Sequence, residues 1–580
     1  MSAAPSIRDD ASTSALPEAL KDLVRRVVRK ARLWPSEQRE LKAELESHFR
    51  EGLIELTKDG VSLEQSIGIL CEDFGDPDLA ARLIHRSKKR GRPMIWKIIT
   101  STALVLLVIA AAGGGYLAYV SLGSPTPTVD YIAKINEPTQ RTPEGDRAWP
   151  ILREALLQFR PLPKELEATP KSLPRPGDEK WPVALAWVEA NRVILPRLEE
   201  AGTKPTWGFL YDHEQTIEFM RQRALRGGEP FEEPSETVDP LVPPTLSVLL
   251  PNLSEERNVA RFLILDARDR MTRGEFAEAW RSLDIAHRLG ALLLSGQTII
   301  EQLVGTAMIS MSTNEARQML HGTADALTPE QLALVKASHL LTMPICTLKG
   351  DFRSELFFFN DVVQYTFTDD GSGNGRLIPS QFAKVSAYGN SSPGTDETGF
   401  MNDAALVAMS AIHADRRETV AKYHEIFDKM EELYSLPLYD PRRAGADRVL
   451  DGVKSDGPTG QRFALINTML PILSRANQLI REATMNELAT RTLVAILRYR
   501  LERGALPQRL AELSPDYLAA VPVDEYSGMH LKYAVDGGRF TLYSVGNNLE
   551  DDGGSSEKVK NGAYFGREGP ADIVYWPPAD

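Results

Sequence analysis

The sequence predicts a mainly α-helical chain with a small α+β module at its C-terminal end and one membrane-spanning helix near its N-terminal end. Three observations predict it. Residues Ile98 to Leu122 run without a charged side chain, and at about 1.5 Å per residue they outreach a hydrocarbon core of roughly 30 Å. On both sides of this run, apolar residues recur with helical spacing. Only near the C-terminus does the pattern change to strict alternation, in His530–Val535 and Arg539–Val545, the period of a strand.

The uncharged run lies too deep in the chain and is too long for the apolar part of a signal peptide. Arg86, Lys88, Lys89, Arg90, Arg92 and Lys97 precede it, whereas no charge follows until Asp130. Basic flanks stay cytoplasmic, so the N-terminus is expected in the cytosol and the C-terminal bulk outside. Trp96, Tyr116 and Tyr119 suit the two interfaces. The 94–122 segment is thus expected as the transmembrane helix.

Net charge divides along the same line. Residues 1–97 carry 18 Lys and Arg against 16 Asp and Glu, while the remainder carries 49 against 64. An acidic outer part argues against nucleic acid as a partner. Cys71 and Cys346 are the only cysteines. The expected topology puts them on opposite sides of the membrane, which excludes an intrachain disulfide and any cysteine-based metal motif.

Residues 1–15 are poor in large apolar groups and read as disordered. A helical domain over 16–90 follows. Leu16–Leu33 carries Leu20, Leu23, Val24, Val27 and Val28 at helical spacing, and Ser36 is expected to cap a second helix striped by Leu41, Leu45, Phe49, Leu53 and Leu56. Ser62 with Gln65 predicts a capping box for a third helix. Gly75-Asp76-Pro77 ends that helix and starts a fourth, with Asp76 as N-cap and Pro77 at the first position. His48 has no partner at metal-ligand spacing and reads as a surface residue. The order Trp34, Glu44-Leu45-Glu46-Ser47-His48-Phe49, Gly60-Val61-Ser62 and Asp73-Phe74-Gly75-Asp76-Pro77 resembles the permease-prefix or HAAS domain found ahead of transmembrane segments in bacterial permeases and regulators. The resemblance implies a cytosolic protein-interaction module.

Beyond the span, residues 123–180 are rich in proline and read as a stalk. A helical domain is expected over 181–484, interrupted by six prolines between Gly227 and Pro251. Within it, a helix over Asn258–Thr272, a turn at Arg273-Gly274 and a helix opening Glu275-Phe276-Ala277-Glu278-Ala279-Trp280 look like one tetratricopeptide-type hairpin, 258–290. Ala277 and Ala279 would let the two helices approach closely. Thr328-Pro329-Glu330-Gln331 reads as another helix start. Phe352 and Phe357–Phe359 read as core rather than as a ligand cage. The last long helical pair is expected over Phe463–Arg481 and Met485–Gly504.

Catalytic motifs do not emerge. His424-Glu425-Ile426-Phe427-Asp428 has an aspartate where a zincin helix needs its second histidine. Asp212-His213-Glu214 lacks a nucleophile context. Asp361 and the Asp369-Asp370 pair are carboxylates, but adjacent acids in a glycine-rich loop read as solvated.

Residues 485–580 form the α+β module. Leu506-Pro507 follows the helix, then Val521-Pro522-Val523-Asp524, Tyr526-Ser527-Gly528, the two strands joined at Asp536-Gly537-Gly538, an acidic loop Gly546–Gly554, and Asp572-Ile573-Val574-Tyr575-Trp576. This ordered set resembles the globular head of the major pseudopilin of type II secretion systems. The resemblance implies a calcium ion held by the acidic loop and the terminal aspartate. Carried over, Asp551, Asp552 and Asp572 would be the side-chain ligands, with carbonyls near Asn548 and Leu549 completing an oxygen shell of the kind calcium takes. The chain departs from the family: no prepilin cleavage signature precedes the span, and the head lies far from it.

The expectation is therefore a single-pass protein of the bacterial inner membrane, its bulk periplasmic, acting as a non-catalytic scaffold or interaction protein. Protein partners are expected on both sides, with no small-molecule substrate and no cofactor beyond calcium. A transmembrane signalling role is the alternative, and an envelope hydrolase using carboxylates of the helical region is a third.

Overall fold

The computed structural model describes residues 16–88, 94–167, 173–227, 231, 241–246, 250, 252–343, 353–389, 403–444, 449, 458–469, 471–555, 558–559, 569–570 and 572–578. The expected disorder of residues 1–15, Cys346 and most of the 227–251 and 388–399 segments lie outside these. The chain is mainly helical with a small antiparallel sheet. It divides into two units, Met1–Gly115 and Tyr116–Asp580.

In the first unit, α1 (Glu18–Lys30), α2 (Pro35–Lys58) and α3 (Leu63–Phe74) pack around Leu20, Val24, Phe49 and Leu53, and α4 (Pro77–Ser87) packs through Ala81 with Val27, Ala31 and Leu41. The helix starts follow local chemistry. Asp76 caps α4 by accepting from the Asp78 N–H at 2.8 Å, and Pro77 fills the first position, where no N–H is needed. Two expected caps are corrected. Pro35, not Ser36, opens α2, and the Glu37 carboxylate accepts the Trp34 N–H at 3.0 Å. Ser62 occupies the N-cap of α3, but its hydroxyl donates to the Gln65 side chain at 3.0 Å instead of accepting a backbone N–H. His48 is exposed. The domain core is small and leaves large apolar side chains outside: Trp34, Leu63, Leu79 and Leu83 are each more than half exposed.

Helix α5 (Met94–Ser121) contains a 22-residue apolar stretch, Ile98–Tyr119, none of which is buried against protein. Its length and composition meet the requirement for crossing a bilayer.

The segment expected as a stalk is built into the larger unit. Helices α6 (Tyr131–Arg141) and α7 (Trp149–Gln158) bury Ile135, Leu152 and Leu156. Prolines there start helices as well as break them: Pro150 lies in the first turn of α7, as Pro182 and Pro196 do in α9 (Trp181–Asn191) and α10 (Leu195–Gly202), which follow the short α8 (Lys164–Glu167). Next come α11 (His213–Gly227), α12 (Asn252–Thr272), α13 (Phe276–Leu293) and α14 (Ile299–Thr323). Gly274 turns the chain between α12 and α13 at φ +77°, a conformation glycine adopts freely. Ala279 is fully buried in this hairpin, but Ala277 faces solvent. Close approach occurs instead between α13 and α14. A Cβ on Gly290 would lie 2.8 Å from the Gly305 oxygen, and one on Gly305 would lie 2.5 Å from the Gly290 oxygen.

Two further clusters complete the unit. Helices α15 (Pro329–Ala337), α16 (His339–Thr342), α17 (Arg353–Thr366), α18 (Pro379–Gly389), α19 (Asp403–Ile412) and α20 (Arg416–Ser435) lead to the long helix Pro471–Arg503. Phe359, Val363, Phe382, Phe427 and Leu465 form one core, with the Phe359 ring stacked on Tyr423 at 3.5 Å. The expected helix break near residue 483 is absent: Pro471–Arg503 is one helix of 33 residues, because Ala483, Thr484 and Met485 contain no breaker. The sheet orders its strands β1 (Lys532–Asp536), β2 (Arg539–Ser544) and β5 (Ile573–Trp576), all antiparallel, and β3 (Lys558–Val559) pairs with β4 (Gly569–Pro570). Gly537 and Gly538, both at positive φ, close the β1–β2 hairpin. This sheet shares a core with α12, α13 and α14: Phe540, Leu542, Tyr575 and Trp576 pack with Trp280, Leu320 and Leu493.

Candidate functional site

Two places in the larger unit gather polar chemistry. The first is a cleft of 610 Å³ between α7 and α11. Its aromatic wall is Trp149 with Phe209 and Phe219, edge-to-face at centroid distances of 4.9 and 5.7 Å. The Ala148 and Trp149 N–H groups donate to Thr206 and Trp207 carbonyls at 2.9 Å, which fixes the wall. Gly208, at φ +74°, follows that contact, and a Cβ there would lie 2.3 Å from the Arg147 Cβ. Only glycine fits. Asp212 caps α11 by accepting the Gln215 N–H at 2.9 Å, and Glu214 and Glu218 bring carboxylates to the lining.

Asn252 also lines the cleft and is fully buried. Its Nδ2 donates to Glu256 Oε1 at 2.9 Å, while Asn252 Oδ1 and Glu256 Oε2 have no hydrogen-bond partner. Burial, reinforced by the nearby Glu301 charge, pushes the Glu256 carboxyl up to about 8. Burial thus favours the protonated form of this carboxyl.

Glu301, fully buried beside Glu256, and Glu355, half-buried, have internal tasks. Glu301 accepts from Trp207 Nε1 at 2.9 Å, from the Thr298 N–H and hydroxyl at 3.0 and 2.9 Å, and from the Tyr211 hydroxyl. Its carboxyl is raised by burial, against which those donors act. Glu355 accepts the Ile299 N–H at 2.9 Å, and burial pushes it up to about 7. These acids hold the start of α14. Sequence reasoning missed them, although Thr298-Ile299-Ile300-Glu301 carries a readable capping-box pattern.

The second place is the acidic C-terminal loop. Asp551 accepts from the Lys532 ammonium and the Tyr543 hydroxyl, both at 2.9 Å. Asp552 accepts the Asn548 amide at 2.7 Å. Asp572, fully buried, accepts the Gly554 and Asp552 N–H groups at 2.7 and 3.4 Å. Burial raises the Asp572 carboxyl, and the charges of Asp552 and Asp551 add to the effect. The structure thus brings all three aspartates to one loop patch. They are the hard oxygen donors calcium takes. Among the described residues, however, no three His, Cys, Asp or Glu side chains are gathered closely enough to hold a metal. A calcium ion here has to draw Asp551 off Lys532. Asp524, from the Val-Pro-x-Asp motif, is fully buried and accepts from the Tyr526 N–H at 3.0 Å and the Ser544 hydroxyl at 2.8 Å. It knots the loop to β2.

The remaining acids singled out in the sequence serve local structure. Asp369 pairs with Arg416 at 2.6 Å, Asp370 accepts from Ser372 at 2.7 Å, and Glu425 pairs with Lys422 at 2.8 Å.

The chain matches no known family model, no curated protein and no solved structure.

Proposed function

We propose that this chain is a single-pass, membrane-anchored interaction protein, with its N-terminal helical domain in the cytosol and its larger unit outside. The observation that carries the reading is the uncovered apolar helix Ile98–Tyr119, set between a small helical unit and a large one. The small unit supports the interaction role, because Leu79 and Leu83, four residues apart on α4, are 55% and 56% exposed. Such residues on one helix face are the material of a protein contact. In the larger unit, the Trp149 cleft, lined by aromatic rings, Glu214, Glu218 and Asn252, offers both apolar and hydrogen-bonding surface to a ligand. Glu301 and Glu355 hold backbone and side-chain donors of the fold, which favours binding over hydrolysis. Calcium at Asp551, Asp552 and Asp572 belongs to the same proposal, as an ion that braces the C-terminal loop.

Photo-crosslinking in cells tests the interaction role. A photoreactive residue at Ile69, 39% exposed on α3, is expected to trap a discrete protein partner, and Leu79→Asp with Leu83→Asp to abolish the adduct while leaving membrane insertion intact. Adducts that persist unchanged in the double variant, or none at all, contradict a binding face on this unit. A trapped DNA-binding regulator would make the interaction a signalling one.

A further inference from the structure

The larger unit begins with the last turns of the apolar helix, and that segment is gripped by distant parts of the same unit. The Arg376 guanidinium lies 3.6 Å over the Tyr119 ring. It also donates to the Tyr119 carbonyl at 2.5 Å and to the Leu122 carbonyl, two of the orphan acceptors at a helix C-terminus. The Tyr116 hydroxyl donates to the Ala411 carbonyl at 3.0 Å. Gly123 packs so closely that a Cβ would lie 2.8 Å from Thr368 Cγ2. A few residues on, the Thr128 and Val129 N–H groups donate to Gln364 Oε1 at 3.1 and 3.2 Å, and Gln364 returns a bond to the Val129 carbonyl at 2.8 Å.

These contacts hold the Tyr116–Gly123 segment against the rest of the larger unit. If the helix leaves the bilayer near Leu122, then Tyr116 lies roughly 9 Å deeper along its axis. The carbonyl it binds, Ala411, must lie at a comparable depth. The next residue is Ile412, an aliphatic side chain 51% exposed at the end of α19. Five residues on in the chain, Arg417 is exposed at the start of α20 and reaches the Ser372 carbonyl of the glycine-rich loop at 3.0 Å. An exposed aliphatic group on a unit that also carries exposed Arg417 matches a membrane interface, with acyl chains below and phosphates at the level of the guanidinium group.

We propose that this face, made of the 368–376 loop, Ile412 and the start of α20, rests in the outer leaflet of the bilayer that α5 spans. Ile412 enters the boundary of the acyl region, and Arg376 and Arg417 meet lipid phosphates. The inference rests on α5 being a membrane span.

The test uses the full chain with Cys71 and Cys346 changed to serine, in nanodiscs of phosphatidylethanolamine and phosphatidylglycerol. Nitroxide labels are placed singly at Ile412→Cys, at Val108→Cys within the span, and at the exposed controls Val193→Cys and Met529→Cys. Collision with a water-soluble nickel chelate is compared with collision with oxygen. The expected result is a label at 412 shielded from the chelate several-fold relative to 193 and 529, approaching the label at 108. Arg376→Ala is expected to raise chelate access at 412. A label at 412 as accessible as the controls, with 108 shielded, overturns the docked face and leaves the span standing. An accessible label at 108 overturns the span and the docked face together.

Discussion

At the scale of single residues, Glu256 is the group whose behaviour is most sharply defined. Its folded acidity lies far above its ordinary value of 4.5, at about 8. The folded protein keeps a proton that the unfolded chain releases, so stability is full below pH 4.5 and drains as pH rises toward 8. Glu256→Gln carries no charge at any pH. Its melting temperature is expected to fall less between pH 5 and 8 than that of the parent, with a difference on the order of 3–5 kcal/mol across the window. Equal slopes in the two proteins would show that Glu256 is not buried as an acid. Little of this was legible in the sequence. Glu256 lies before the Asn258–Thr272 helix expected from the sequence, whereas the helix starts at Asn252, and burial of Glu256 comes from packing of distant helices. Glu301 was more accessible to reasoning, because Thr298 three residues earlier marks it as a capping acid.

At the scale of elements, local chemistry was informative wherever a side chain and its own backbone decide the outcome. The β1–β2 hairpin at Gly537-Gly538, the Asp76-Pro77 start of α4 and the Gly274 turn all follow from short-range rules. The contact of Gly290 with Gly305 was not legible, since a glycine within a helix announces neither a partner nor a crossing. The proline-rich 123–180 segment misled for a related reason: proline in the first turn of a helix is as favourable as proline in a loop. The acidic loop is the element with a chemical prediction attached. Calcium is expected to raise the melting temperature of the full chain in detergent, and Asp552→Ala, at an exposed position, to remove the rise. An identical melting temperature with calcium and with chelator contradicts a metal at this loop, and leaves Lys532 as the partner of Asp551.

At the scale of the whole molecule, the proposed topology rests on one helix, α5. Its length, its lack of charge and the basic residues before it were readable in full from the sequence, because each is a property of consecutive residues and needs no tertiary contact. The cleft was not readable, because Trp149, Phe219 and Asn252 are brought together from separate helices. The most direct test is the accessibility of single cysteines in intact cells to a membrane-impermeant maleimide, in a Cys346→Ser background. Cys71, in the first unit, is expected to react only after the inner membrane is opened. Val193→Cys, 67% exposed in the second unit, is expected to react once the outer barrier alone is breached. Equal labelling of the two sites, or a protected Val193→Cys beside a reactive Cys71, would contradict a span with the N-terminal domain inside.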